Sequence, residues 1–159
     1  MNRSFAAPRR RGARAWRELD YRALAEFRYQ LRRFLIFSEA IAREAGIEPQ
    51  QHQLLLALRG LPEGARPNIR VLAERLQLKH HTVVGLVDRL VRRKLVTREK
   101  SDVDRREILV RVSPTGERLL ESLSEAHRSE LATRGPALVR ALEAIVARTP
   151  PHPDLERAG

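Results

Sequence analysis

The chain has 159 residues, with 31 lysines and arginines against 20 acids and a formal net charge of +11. That length suits one domain with its own core, and the charge points to a polyanionic partner, against the plainer alternative of a soluble protein with surplus arginine. Cysteine is absent, which removes disulfides, thiol redox sensing and thiolate metal sites; aromatics make up only 4%, too few for a stacking surface on single-stranded nucleic acid.

Residues 1–17 carry six arginines and no acid, interrupted by Pro8 and Gly12. They read as a basic disordered arm that either adds phosphate contacts or is a solvated tail. No signal-peptide core follows, and no run of about 18 apolar residues occurs, so the expectation is a cytoplasmic protein, nucleoid-associated when bound to DNA.

From residue 19 to 45, Leu24, Phe27, Leu31, Phe34, Leu35, Ile41, Ala42 and Ala45 keep helical spacing and stop at Gly46. Pro49 opens a second helix whose Leu54, Leu55, Leu56 and Leu58 read as core, ending at Gly60. The segment 61–67, LPEGARP, is a loop. Asn68 then caps a short helix over residues 69–76 with Leu72, Ala73 and Leu76 inward.

The next helix, 80–93, is the most informative. Val83, Leu86, Val87, Leu90 and Val91 share one side of a 3.6-residue repeat. The opposite side presents His81, Thr82, Gly85, Asp88, Arg89 and Arg92, polar and mostly basic. Helix, turn and helix in this order suit a DNA major groove. After Lys94 the period changes: 95–100 and 107–113 are β-branched-rich runs predicted to form a hairpin, and the charged segment 101–106 is predicted to project into solvent. Ser113 caps a further helix with Pro114 at its first position. Gly135 and Pro136 are predicted to break it, leaving a final helix with Leu138, Val139, Leu142, Ile145 and Val146. Residues 149–159 are proline-rich and read as a flexible tail.

This sequence resembles the MarR family of winged helix-turn-helix regulators. The resemblance rests on HHTVVGLVDRLVRRKLVTRE followed by SDVDRR and then VSPTGE. It implies a mainly α fold with a small β-hairpin wing: a winged helix-turn-helix plus a helical dimerisation layer. Within one MarR-like domain over 18–148, residues 18–46 and 114–148 would be the dimerisation helices and 49–113 the winged part. Apolar helical faces in excess of what a small wing domain covers also argue for a twofold dimer.

The expected function is a sequence-specific double-stranded DNA-binding transcriptional regulator, acting as a homodimeric repressor on an inverted repeat and released by a small ligand. Lys79 and the amino end of the helix at 80 favour phosphate, while His81, Thr82, Gly85 and Arg89 are placed to approach base edges. Arg89 could equally pair with Asp88 or a wing carboxylate. His80 and Arg98 complete the expected surface. From the family's Asp-Arg-Arg motif, Arg106 would enter the minor groove, Asp104 would hold it and Arg105 would lie nearer the backbone; the alternative is a salt bridge that shapes the hairpin. Lys94 departs from the pattern, standing where the family usually has glycine.

The resemblance also implies a small-molecule cleft, for which Phe34, Phe37, His52 and Leu56 are candidates; a plain core cluster is the alternative. His52, His80, His81 and His127 include no pair at helical ligand spacing, so no metal is expected, nor any cofactor. No phosphate loop or zinc-protease motif occurs, and no enzyme activity is expected. The rival functions are a non-specific architectural DNA-binding protein and a winged-helix module that holds protein partners.

Overall fold

A computed structural model describes residues 18–147, with side chains from residue 20 onward. Among these the order is α1 (Glu18–Glu44), α2 (Pro49–Arg59), α3 (Ile69–Leu76), α4 (His80–Arg92), β1 (Val96–Lys100), β2 (Ile108–Val112) and α5 (Pro114–Val146). The fold is mainly α with a two-stranded antiparallel wing, as the sequence predicts. The predicted basic arm and proline-rich tail lie outside the described residues. No described helix is long and apolar enough to cross a membrane.

The chain divides into two units. One is Arg32–Pro136, and the other joins the segments on either side of it. The core of the first is one cluster in which Leu54, Leu55, Leu72, Val83, Val87, Leu90 and Val110 are fully buried. The apolar side of α4 predicted from spacing is the side that enters this core, with Leu86 also buried. Each such side chain contributes about 1.5–3 kcal/mol through burial. In the second unit Ala23 and Ala141 are buried, whereas Leu24, Tyr29, Val139, Leu142 and Val146 are exposed.

Two predictions about packing need correction. Leu56, read as core, is 50% exposed. At about 100° per residue, Leu54, Leu55 and Leu58 fall within an arc of about 100° on α2 and Leu56 on the far side. The predicted break at Gly135 and Pro136 is also absent, because α5 continues through Pro136. Proline removes one N–H, so the Ala132 carbonyl loses its usual donor, but the fixed φ of proline is itself helical. The cost of about 3 kcal/mol is borne by a helix with alanine, leucine and arginine on both sides.

Three helix ends share one hydrogen-bond pattern with different residues at its strained position. After α1, Gly46 takes φ 76°, and Ile47 N–H donates to the Ala42 carbonyl at 3.0 Å. After α3, Gln77 takes φ 53°, and Leu78 N–H donates to the Ala73 carbonyl at 3.0 Å. After α4, Lys94 takes φ 58°, and Leu95 N–H donates to the Leu90 carbonyl at 3.0 Å. This six-to-one bond satisfies carbonyls that the helix end would leave open. Only the first site carries glycine, so the other two store backbone strain. Burial of Leu95 against the same core as Leu90 offsets it at Lys94.

The hairpin pairs Val96 with Val112, Arg98 with Val110 and Lys100 with Ile108. Val96 and Val110 are buried, and this inward pair fixes the register, since a one-residue slip would expose both. A short third segment joins the free side of β2: Asn68 bridges Leu109, and Val110 N–H donates to the Pro67 carbonyl at 2.8 Å. At the other end, Ser113 N–H donates to the Leu95 carbonyl at 3.0 Å. The Ser113 hydroxyl donates to the Lys94 carbonyl at 2.6 Å and accepts from Gly116 N–H at 3.0 Å. A Cβ on Gly116 would stand 2.1 Å from the Leu95 oxygen, so only glycine lets the first turn of α5 sit this close.

Candidate nucleic-acid interface

The turn between α3 and α4 presents the second helix by its amino end. Asn68 starts α3 by accepting from Val71 N–H at 2.9 Å, and Gln77 closes it. Lys79 then takes the extended N-cap conformation of α4, with no side chain capping that end. Its carbonyl receives Thr82 and Val83 N–H at 3.0 and 3.2 Å. The first-turn N–H groups of an uncapped helix favour an anion. Lys79, His80 and His81 are exposed around that end.

Because Val83, Leu86, Val87 and Leu90 are held inward, the outward side of α4 is set by the same rotation. Arg89 and Arg92 are exposed, and Thr82, Gly85 and Asp88 are half-buried. Asp88 pairs with Arg98 of β1 at 2.7 Å. Arg98 therefore ties the wing strand to α4, and Asp88 does not engage Arg89 in the way the sequence left open. The Arg89 guanidinium runs back along the helix, 3.8 Å from where a Cβ on Gly85 would be.

The wing loop projects as predicted, with Asp102, Val103, Asp104, Arg105 and Arg106 all exposed. Asp104 holds Arg106 through the backbone: its Oδ1 accepts Arg106 N–H at 2.9 Å, while its carbonyl accepts Glu107 N–H at 2.9 Å. The local turn is thus an aspartate turn, and it leaves the Arg105 and Arg106 guanidinium groups outward. Arg111 and Glu99 pair across the strands at 2.6 Å.

Beneath the loop lies a polar cluster that sequence reading did not single out. The Arg66 guanidinium donates to the Ser101 hydroxyl and pairs with the Glu107 carboxylate. Asn68 Nδ2 donates to the other oxygen of Glu107. Ser101 is buried, and its Oγ accepts from Val103 N–H and Asp104 N–H, both at 3.2 Å. The signal for Arg66 was hidden because its partners lie 35 and 41 positions further along.

Three of the four proposed pocket residues occur in or beside an aromatic cluster, organised by a residue given no such role. His127 stands edge-on to Phe34 and Phe37, with ring centres 5.7 and 5.9 Å away, and lies 4.9 Å from the His52 ring. One of its ring nitrogens meets the Leu123 carbonyl at 2.7 Å and the other the Ser38 hydroxyl at 2.8 Å. Nδ1 donates to the carbonyl, which can only accept. Burial, followed by the neighbouring His127, pushes the His52 imidazole below its ordinary pKa. Leu56 points away from the core. Two of the four histidines weighed as metal ligands thus meet, while His80 and His81 stay on α4. Among the described residues no group of three or more histidines or acids could hold a metal.

A model of the MarR family matches residues 45–107. No curated protein matches the chain. Among solved structures, AbsC, a MarR family transcriptional regulator from Streptomyces coelicolor, superposes with a TM-score of 0.67 at 17% identity, covering 91% of this chain and 97% of that one. CouR from Rhodococcus jostii, bound to p-coumaroyl-CoA, gives 0.61 at 21% identity, covering 86% and 100%. A MepR F27L variant from S. aureus, bound to an oligodeoxyribonucleotide, gives 0.58 at 20% identity, covering 86% and 89%. Likeness at these identities is likeness of fold.

Proposed function

From the premise that residues 45–107 form a MarR-family winged helix-turn-helix, we propose that this chain is a sequence-specific double-stranded DNA-binding transcriptional regulator. It acts as a homodimer on an inverted repeat, as a cytoplasmic repressor released by a small ligand. The observation that carries this reading is the outward side of α4: cationic and small side chains beside an uncapped helix start, with the apolar side locked in the core. The oligonucleotide-bound MepR variant has the same fold.

In this reading Lys79, His80 and the start of α4 meet phosphate, and His81, Thr82, Gly85 and Arg89 approach base edges. Arg98 acts at one remove, through its bond to Asp88. Arg106 enters the minor groove, Asp104 sets its backbone and Arg105 lies toward the phosphates. The segments 18–46 and 114–148 supply the dimer interface, supported by exposed Leu24, Leu35, Leu131, Val139 and Leu142. The cluster of Phe34, Phe37 and His52 around His127 is the proposed place for the ligand. Residues 1–17 add phosphate contacts. No catalytic role is assigned to any residue.

Selection of bound sequences from random duplex DNA, followed by titration of the winner at two salt concentrations, tests this. An enriched inverted repeat with half-sites about one helical turn apart, bound far more tightly than random DNA, is expected. The net charge of +11 favours a second reading, an architectural protein that binds DNA without reading it. Weak, uniformly salt-sensitive binding with no enriched sequence would establish that one.

A further inference from the structure

The cluster beneath the wing connects two parts of the proposed DNA surface. Glu107 immediately follows the wing arginines, and its side chain is only 18% exposed. One carboxylate oxygen accepts from Asn68 Nδ2, and the other forms the ion pair with Arg66. Asn68 uses its remaining side-chain atom, Oδ1, to cap α3 at 2.9 Å. Arg66 extends to Ser101, whose hydroxyl holds the Val103 and Asp104 amides, and Ser101 N–H donates to the Glu107 carbonyl at 3.0 Å. The first and last residues of the wing loop are thus strapped to each other and to the segment that starts α3.

A two-stranded hairpin alone is marginally stable in water. Its tip would sample many orientations, and ordering it on DNA would cost affinity. An ion pair on a partly buried carboxylate, with Asn68 held on its other oxygen, removes that freedom beforehand. A carboxylate directly after Arg106 otherwise makes poor sense on a surface meant for phosphate, since its charge opposes the partner's attraction.

We propose that Arg66 and Glu107 are positioning residues for the wing, holding Arg105 and Arg106 at a set orientation to α4 without touching DNA themselves. This rests on the proposed function, and electrostatics gives it a discriminating sign. If Glu107 acts only by charge, Glu107→Gln removes a negative group from a basic surface and tightens DNA binding. If Glu107 positions the wing, the same change weakens binding on the order of tenfold, the middle of the range for coupled neighbours.

The test has two arms on the full chain. In the first, amide hydrogen exchange is followed without DNA in wild type, Glu107→Gln and Arg66→Met. The expected result is faster exchange at Val103, Asp104 and Glu107 with unchanged protection at Val83 and Leu86, whose retention shows that the core is folded. Unchanged wing protection overturns the proposal. In the second, affinity for the selected duplex is measured for Glu107→Gln, Arg106→Ala and the double variant. The expected result is that Glu107→Gln weakens binding in the wild-type background and has little effect once Arg106 is gone. Tighter binding, or equal losses in both backgrounds, overturns it. Failure of wild type to select any sequence would refute the proposed function, while the exchange arm would still decide whether the cluster holds the wing.

Discussion

Replacing Gly85 by alanine separates the stability of α4 from its use. A glycine inside a helix costs about 1 kcal/mol relative to alanine. The structure shows no steric reason to keep it: the nearest heavy atom to an added Cβ is Arg89 Nη1 at 3.8 Å, the far end of a flexible side chain at ordinary contact distance. Gly85→Ala should therefore stabilise the protein by about 1 kcal/mol, raising Tm by roughly 2–4 °C for a chain of this size. If the outward side of α4 lies in a groove, the same methyl meets DNA, and an overfilled contact costs about 1–3 kcal/mol. Thermal unfolding and fluorescence anisotropy on the selected duplex read the two effects separately. A variant that is more stable and binds less tightly is expected. Unchanged or tighter binding would refute the placement of Gly85 against DNA, and no gain in Tm would refute the account of its cost.

Gly116→Ala should behave in the opposite way, losing roughly 2–4 kcal/mol in urea unfolding, because the Leu95 carbonyl at 2.1 Å is backbone and cannot yield. Lys94→Gly should add about 0.5 kcal/mol, since relief of about 1–2 kcal/mol of left-handed strain is partly offset by the entropy glycine loses on folding; a loss would mean that the lysine side chain contributes more than its backbone strain costs. Stability should also fall on acidification through His52. Its folded pKa is lowered by burial and then by His127, so the unfolded state binds the proton more readily; the contribution is complete above the ordinary value of 6.5 and declines as pH falls below it. The slope is at most about 1.4 kcal/mol per pH unit, and an identical pH dependence in His52→Gln would remove His52 as its source. Arg106→Ala should weaken operator binding and leave unfolding unchanged, and full affinity in that variant would take the wing out of the mechanism.

Much of the winged part was legible because its signals are local. The spacing of Val83, Leu86, Val87 and Leu90 is enough to orient α4, since residues on one side of a helix are buried or exposed together. Asn68, Pro49, Gly46 and Ser113 mark helix ends by chemistry that acts over two to five residues. The same logic exposed the wing loop and brought His81, Arg89, Arg105 and Arg106 to the surface. Where local signals compete, they misled: four leucines in five positions look uniformly apolar, although a helix cannot turn Leu56 inward with the others. Pro136 looks like a stop, although one lost hydrogen bond is small beside the bonds on either side of it.

The sequence by itself determined the order and type of the elements as far as the start of α5, the buried side of α4 and the cationic wing tip, because these follow from periodicity and from bonds between near neighbours. Tertiary structure alone decided which distant polar groups meet. It brought Arg66 to Ser101 and Glu107, turned Arg98 toward Asp88 and set His127 against His52, Phe34, Phe37 and Ser38. It also placed Gln77 and Lys94 in the left-handed region, where packing of the following leucine against the core, full for Leu95 and partial for Leu78, offsets the backbone preference. Such pairings depend on how helices and strands pack across dozens of intervening residues, and neither composition nor spacing encodes that geometry.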